Sequence, residues 1–147
     1  MSANINRNWI YNPPQGGPGG DDFEATPADD NATVTKIEVW CQDSPGGHYS
    51  LSGLRITWSS GQTSRVYGSE HDYNVFDFAK GDQVTTMFIN AGGRADRVDL
   101  HTNKGHHFSA GGTGGIGYTQ NIGNGKLVGF WGRAGNGIDA LGSVFQK

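Results

Sequence analysis

Cys41 is the only cysteine among the 147 residues, so no intramolecular disulfide can form and no cysteine-rich zinc site is available. Cationic residues are few: 11 Lys and Arg stand against 14 Asp and Glu, for a formal charge of −3. They are scattered rather than clustered, which leaves no basic stripe for a phosphate backbone and excludes nucleic acid as the expected partner. No apolar run is long enough to cross a bilayer. The opening Met-Ser-Ala-Asn-Ile-Asn-Arg-Asn has no apolar stretch of the kind that directs secretion. The expected location is therefore cytoplasmic, or secreted without a signal peptide. Helical periodicity is missing as well, since nothing sustains it beyond a turn or two.

Glycine is abundant instead, at 25 residues, and follows no three-residue period, so a collagen-like chain is excluded. Apolar residues at 34% and aromatics at 11% still supply a core. A chain of this length fits one domain, residues 1–147, able to bury roughly two-thirds of its unfolded surface.

Short runs of alternating Val, Ile, Thr, Trp and Phe, broken by Gly, Asn and Ser, predict strands throughout. They fall into three strand-bend-strand units. Lys36-Ile-Glu-Val-Trp40 is followed by Ser52-Gly-Leu-Arg-Ile-Thr-Trp58. Gln83-Val-Thr-Thr-Met-Phe-Ile-Asn90 is followed by Asp96-Arg-Val-Asp-Leu-His-Thr102. Lys126-Leu-Val-Gly-Phe-Trp131 is followed by Asp139-Ala-Leu-Gly-Ser-Val-Phe145. Ser52, Asp96 and Asp139 occupy the same place in each unit and are spaced by 44 and 43 residues, a period that marks a repeat architecture. Three units are too few for a propeller of about 4–8 blades, whereas a β-trefoil remains an alternative. The third unit has only one hairpin, and a lone strand-like segment, Asn8-Trp-Ile-Tyr-Asn12, opens the chain. Pairing the first segment beside the last would complete a third sheet and leave few open edges.

The bends carry the chemistry. Gly135-Asn-Gly-Ile-Asp139 places a carboxylate four residues after a glycine, between two apolar strands. Glycine lets a ligand come against the main chain, where N–H groups are free to donate. An ionised carboxylate accepts two hydroxyl hydrogen bonds at once, and such charge-assisted bonds are the stronger kind. Adjacent hydroxyls that accept from N–H and donate to a carboxylate are what a sugar ring presents. Asp139 begins the string Asp-Ala-Leu-Gly, an aromatic-glycine-arginine run (Phe130-Trp-Gly-Arg133) precedes the bend, and a loop Gly16-Gly17-Pro18-Gly19-Gly20 lies near the N-terminus.

In these features the chain resembles the jacalin-related lectins. The likeness is strong over the last ~25 residues and traceable over most of the remainder. It implies an all-β fold, the β-prism I, with three four-stranded antiparallel Greek-key sheets about a pseudo-threefold axis. It also implies monosaccharide sites made from a Gly-x-x-x-Asp bend and a glycine loop. Carried over, the first site comprises the Asp139 carboxylate with backbone N–H groups of Asn136, Gly137 and Gly20. Gly92-Gly93-Arg94-Ala95-Asp96, with the loop Gly111-Gly112-Thr113-Gly114-Gly115, implies a second. That site uses Asp96 with N–H groups of Gly93, Arg94 and Gly115, and Arg94 could either block or help it. The first unit has Ser52 in place of the aspartate and Gly68-Ser-Glu-His-Asp72 in place of the paired glycines. A lost charge weakens each contact by roughly 1 kcal/mol or more, so no sugar is expected there.

Other motifs carry less. Gly112-Thr-Gly-Gly-Ile-Gly117 matches a dinucleotide fingerprint, but that loop must open a helix and Tyr118-Thr-Gln-Asn-Ile-Gly cannot supply one. His106 and His107, with His101 nearby, suggest a metal, yet adjacent strand residues point to opposite faces and solvent-facing histidines are the expectation. Cys41 with His48 lacks an orienting third group, and Cys41 reads as a small buried residue. The pairs Asp21-Asp22 and Asp29-Asp30 read as solvated loop. Trp40, Trp58, Phe88, Phe130 and Trp131 read as packing residues rather than sugar platforms.

The expected function is a non-enzymatic lectin that needs no metal or cofactor. It binds mono- and oligosaccharides and glycoproteins at two sites that cross-link multivalent glycans, and assembly into a homo-oligomer stays open. The resemblance implies mannose or glucose rather than galactose or GalNAc. Galactose-specific members need a free amino terminus at the glycine loop, and here 15 residues precede Gly16. Two other readings remain: a β-prism scaffold with vestigial sites, and a hydrolase using Asp96 or Asp139.

Overall fold

A computed structural model describes residues 6–44 and 46–147. The opening residues 1–5, where the lack of an apolar leader was read, and Pro45 lie outside it. The described residues form thirteen strands and no helix, so no helix is long and apolar enough to cross a membrane.

The strands make three antiparallel sheets. The first contains β4 (Val34–Asp43), β5 (Tyr49–Trp58), β6 (Tyr67–Gly68) and β7 (Asp72–Asp77), in the order β6-β5-β4-β7. The second contains β8 (Val84–Ala91), β9 (Ala95–Thr102), β10 (His107–Gly111) and β11 (Ile116–Thr119), ordered β10-β9-β8-β11. In each, three strands run as neighbours and the fourth returns beside the first, which is a Greek key.

The third sheet is built from both ends of the chain. The hairpin β12 (Leu127–Ala134) and β13 (Ile138–Gln146) is flanked by β3 (Asp21–Ala25) on one side and by β1 (Trp9–Tyr11) and β2 (Gln15–Gly16) on the other. Ile10 stands opposite Phe145, and the Lys147 N–H donates to the Asn8 carbonyl at 3.0 Å. The expected closure of the N-terminal strand onto the C-terminal one is therefore present. Its outer position is filled by two short strands instead of one, because Pro13 and Pro14 cannot donate to a ladder. The pair Asp21 and Asp22, read as loop, instead opens β3, with Asp21 opposite Ala134 and Asp22 opposite Arg133.

Alternation places one face of each sheet in the common core. On β9, Val98 and Leu100 point in while Asp99 and His101 face the other way; Ile37, Ile56, Met87, Ile89, Phe130 and Phe145 complete the interior. Trp40, Trp58 and Phe130 are buried as expected, whereas Phe88 and Trp131 are half-buried. A smaller cluster of Trp9, Val128 and Val144 covers the outer face of the third sheet.

The pseudo-threefold relation extends to irregularities. Each central hairpin has a register shift near its start, at Val34/Lys36, Val84/Thr86 and Leu127/Gly129. Each has another before the bend, at Trp40/Cys41, Asn90/Ala91 and Arg133/Ala134. The pairs that close the bends are Ala91 with Ala95 and Ala134 with Ile138, and the equivalent pair in the first unit is Cys41 with Leu51. Ser52, Asp96 and Asp139 each follow the second member of that pair, as the repeat predicted. The first hairpin runs beyond it, pairing Gln42 with Ser50 and Asp43 with Tyr49.

Candidate functional site

The three bends and three loops lie at one end of the prism and interlock. Each loop begins by docking on the residue that ends its own bend: Gly17, Gly112 and Ser69 donate their N–H groups to the carbonyls of Asp139, Asp96 and Ser52 at 2.8, 2.8 and 2.7 Å. The same three residues also touch the next unit. Gly17 lies against the Gly93 carbonyl and Gly112 against the Tyr49 carbonyl, so closely that a Cβ at either would collide with the backbone. The Ser69 hydroxyl donates to the Asn136 carbonyl at 2.5 Å. Loop three thus meets bend two, loop two meets bend one, and loop one meets bend three.

Within this ring, two constellations share one geometry. Gly20 and Gly115 have φ of 75° and 74°, which favours glycine. A Cβ on them would stand 2.5 Å from Asp139 Oδ2 and 2.6 Å from Asp96 Oδ2 respectively, so each carboxylate lies directly under a bare Cα. The bends are held alike, with Gly135 donating to the Gly137 carbonyl at 2.9 Å and Gly92 to the Arg94 carbonyl at 3.0 Å. Among the described residues, no acceptor takes the N–H of Gly20, Asn136 or Gly137, nor that of Gly93, Arg94 or Gly115. All eight residues singled out by sequence therefore gather into two groups, each combining a carboxylate with three unengaged donors.

The groups differ in surroundings. Asp139 is half-buried, whereas Asp96 is only 5% exposed. Burial raises the Asp96 carboxyl above the usual range, opposed by the nearby charges of His48 and Arg94. His48 arrives through the extended first hairpin: its Nδ1 and the Asp96 carboxyl carbon each lie 3.7 Å from where a Cβ on Gly114 would be. The backbone of Arg94 belongs to the second bend, but its side chain leans to the first site. Nη1 lies 3.1 Å from the Cβ position of Gly137, and Gly137 is buried.

Arg133 was missed in the sequence. Its Nε donates to the Pro18 and Gly19 carbonyls at 3.1 and 3.0 Å, Nη2 to the Gly20 carbonyl at 2.6 Å, and Nη1 to Asp22 at 2.7 Å. One guanidinium thereby fixes the Gly16–Gly20 loop over Asp139. The only hint was the aromatic-glycine-arginine run. The equivalent position in the second unit, opposite Arg97 as Arg133 is opposite Ala140, is Asn90. No such clamp exists there.

Among the described residues the first unit has no comparable group. Ser52 is fully buried and its hydroxyl donates to the Ser69 carbonyl at 3.0 Å, so it is already engaged. Cys41 is fully buried, and burial pushes its thiol up to about 11, the wrong direction for a nucleophile. A cavity of about 1270 Å³ forms a groove on the outer face of the third sheet beside Trp9, Glu24, Pro27 and Trp131. It touches Gly16 and Gly17 but is lined by neither Asp96 nor Asp139.

Residues 12–144 match the family model of the jacalin-like lectin domain. Among solved structures, a lamprey immune protein shares 21% identity and a TM-score of 0.85 over 97% of this chain, which spans only 46% of that protein. Malaysian banana lectin shares 25% identity and a TM-score of 0.73, covering 92% of this chain and 96% of its own. A mannose-binding jacalin-related lectin from Ananas comosus shares 17% identity and a TM-score of 0.75, covering 95% and 99%. No curated protein matches the sequence significantly.

Proposed function

Because the chain belongs to the jacalin-like lectin domain family, with its β-prism I fold, we propose that it is a non-enzymatic lectin binding mannose- or glucose-type glycans at two sites. The observation that carries this reading is the duplicated constellation: a carboxylate beneath a positive-φ glycine, ringed by three N–H groups with no acceptor of their own. Asp139 and Asp96 each accept from two neighbouring hydroxyls of one sugar. Gly20, Asn136 and Gly137 donate to the first sugar, and Gly115, Gly93 and Arg94 to the second. Arg133 positions the first loop through its carbonyls.

Preference for mannose or glucose over galactose rests on the state of the loop. Gly16 is paired with Ala140 in continuous chain, so the glycine loop does not itself begin with a free amino group. The Ananas comosus relative, described as mannose-binding, points the same way. A scaffold whose sites are vestigial is the second reading, favoured by the burial of Gly137 under Arg94. A glycan array separates the two. Binding to mannose- or glucose-terminated glycans supports the lectin, binding only to galactose-terminated ones overturns the specificity, and no binding at all supports the scaffold.

A further inference from the structure

On the outer face of the second sheet, far along the strands from the glycine loops, two histidines and an aspartate converge. His101 on β9 stands directly opposite His107 on β10, and Asp99 lies two residues before His101, on the same face of its strand. The imidazoles stack at 4.1 Å between centroids with planes 7° apart. Both reach toward the one carboxylate: His107 Nε2 is 3.1 Å from Asp99 Oδ2, and His101 Nδ1 is 3.8 Å from Oδ1. One ligand atom from each residue can be chosen so that all three lie within 4.8 Å of one another. The sequence reading held that adjacent histidines diverge, and they do, since His106 turns to Asp82 at 2.9 Å. It missed that His107 meets His101 across the ladder.

We infer that Asp99, His101 and His107 form a binding site for a divalent late first-row transition metal such as zinc, separate from the sugar sites. The donor set is the right kind, because imidazole and carboxylate bind zinc and its neighbours. The spacing is also right. Bonds of about 2.0–2.1 Å at tetrahedral angles put ligand atoms about 3.3 Å apart. His107 Nε2 already lies 3.1 Å from Asp99 Oδ2, and a turn of the exposed His101 ring, now 3.8 Å from Oδ1, brings in the third ligand. Asp99 is anchored and only 5% exposed, while the two rings are exposed and free to adjust, with a water completing the sphere.

The surroundings fit as well. Ser109, paired with Asp99 in the ladder, has a buried hydroxyl oxygen without a partner among the described residues. The competing cation is weak, since Arg97 Nη2 stays 3.7 Å from Asp99 while Nη1 points to the Gly111 carbonyl at 3.4 Å. The Thr86 hydroxyl, 3.4 Å from His101 Nδ1, is long for a hydrogen bond and easily released.

The test is calorimetric titration of tag-free protein with zinc chloride, supported by the visible absorption of the cobalt(II) form. Saturation at one equivalent and intense tetrahedral cobalt bands are expected. Both should be lost, or the affinity weakened at least tenfold, in His101→Ala and in His107→Ala, with His106→Ala unchanged. Unsaturable binding, or equal binding by wild type and His101→Ala, overturns the site. So does a loss with His106→Ala alone.

Discussion

Gly20 presents no side chain where Asp139 needs room: a Cβ there would sit 2.5 Å from the carboxylate Oδ2 and 2.7 Å from the Ala134 carbonyl carbon. Gly20→Ala is thus expected to push the loop off the bend and weaken the first site at least tenfold. Asp139→Ala should abolish it, because two charge-assisted hydrogen bonds at about 1.5 kcal/mol each are lost. Mannoside titration of each variant in an Asp96→Ala background measures this. Wild-type affinity in Asp139→Ala would exclude the site.

Stoichiometry separates the three units. Wild-type protein should take two equivalents of a simple mannoside, and Asp96→Ala one. Ser52→Ala should leave the count at two and lower stability by about 1 kcal/mol, the value of one lost hydrogen bond to the Ser69 carbonyl. A wild-type count of one would mean that the second unit is structural only.

Acid should empty the second site early. Burial raises the Asp96 carboxyl, and only the ionised form accepts both hydroxyls, so binding there fades at a higher pH than for an ordinary carboxylate near about 4. The linkage runs the other way for folding. A raised value in the folded state means that stability from the protonated form is full below the unfolded value and lost as pH rises through the folded one. Asp96→Asn should therefore keep or raise the neutral-pH Tm while removing the second equivalent. Titrations at about pH 7 and pH 4.5, with thermal melts of the variant, check both halves.

Arg133→Met should release the Gly16–Gly20 loop from its three carbonyl contacts and weaken the first site at least tenfold, while the second keeps its affinity. Isothermal titration of Arg133→Met with Asp96 intact should show one equivalent at wild-type strength. Both sites should be indifferent to EDTA, since hydroxyls meet a carboxylate and N–H groups directly. Loss of binding on chelation and its return with calcium would refute that mode.

Much of this was legible because the repeat has rigid spacing. The strands and the closure of the chain ends followed from alternation and the repeat, and the eight site residues from the family resemblance carried by the two Gly-x-x-x-Asp bends. What stayed hidden depends on neighbours remote in sequence. Arg133 is an ordinary strand residue until the Gly16–Gly20 loop folds over it. His107 diverges from its neighbour His106 and meets His101 only across a ladder. The first hairpin encloses nine residues between Cys41 and Leu51, where the second encloses three between Ala91 and Ala95. Nothing in the local sequence says that this extension carries His48 to the next unit's aspartate. Asp21 and Asp22 looked like loop because charge hid a strand whose outward positions are solvated.

The closed ring of loops and bends fixes how the molecule can approach a glycosylated surface. With Gly17 seated on Gly93, the two proposed sugar positions are next-door neighbours at one end of the prism. On the proposed reading, a single copy would stand on a glycan coat as a foot with two toeholds, its gain from bivalency going into dwell time on one layer. The cross-linking of multivalent glycans expected from two sites would then call for a second copy placed back to back with the first.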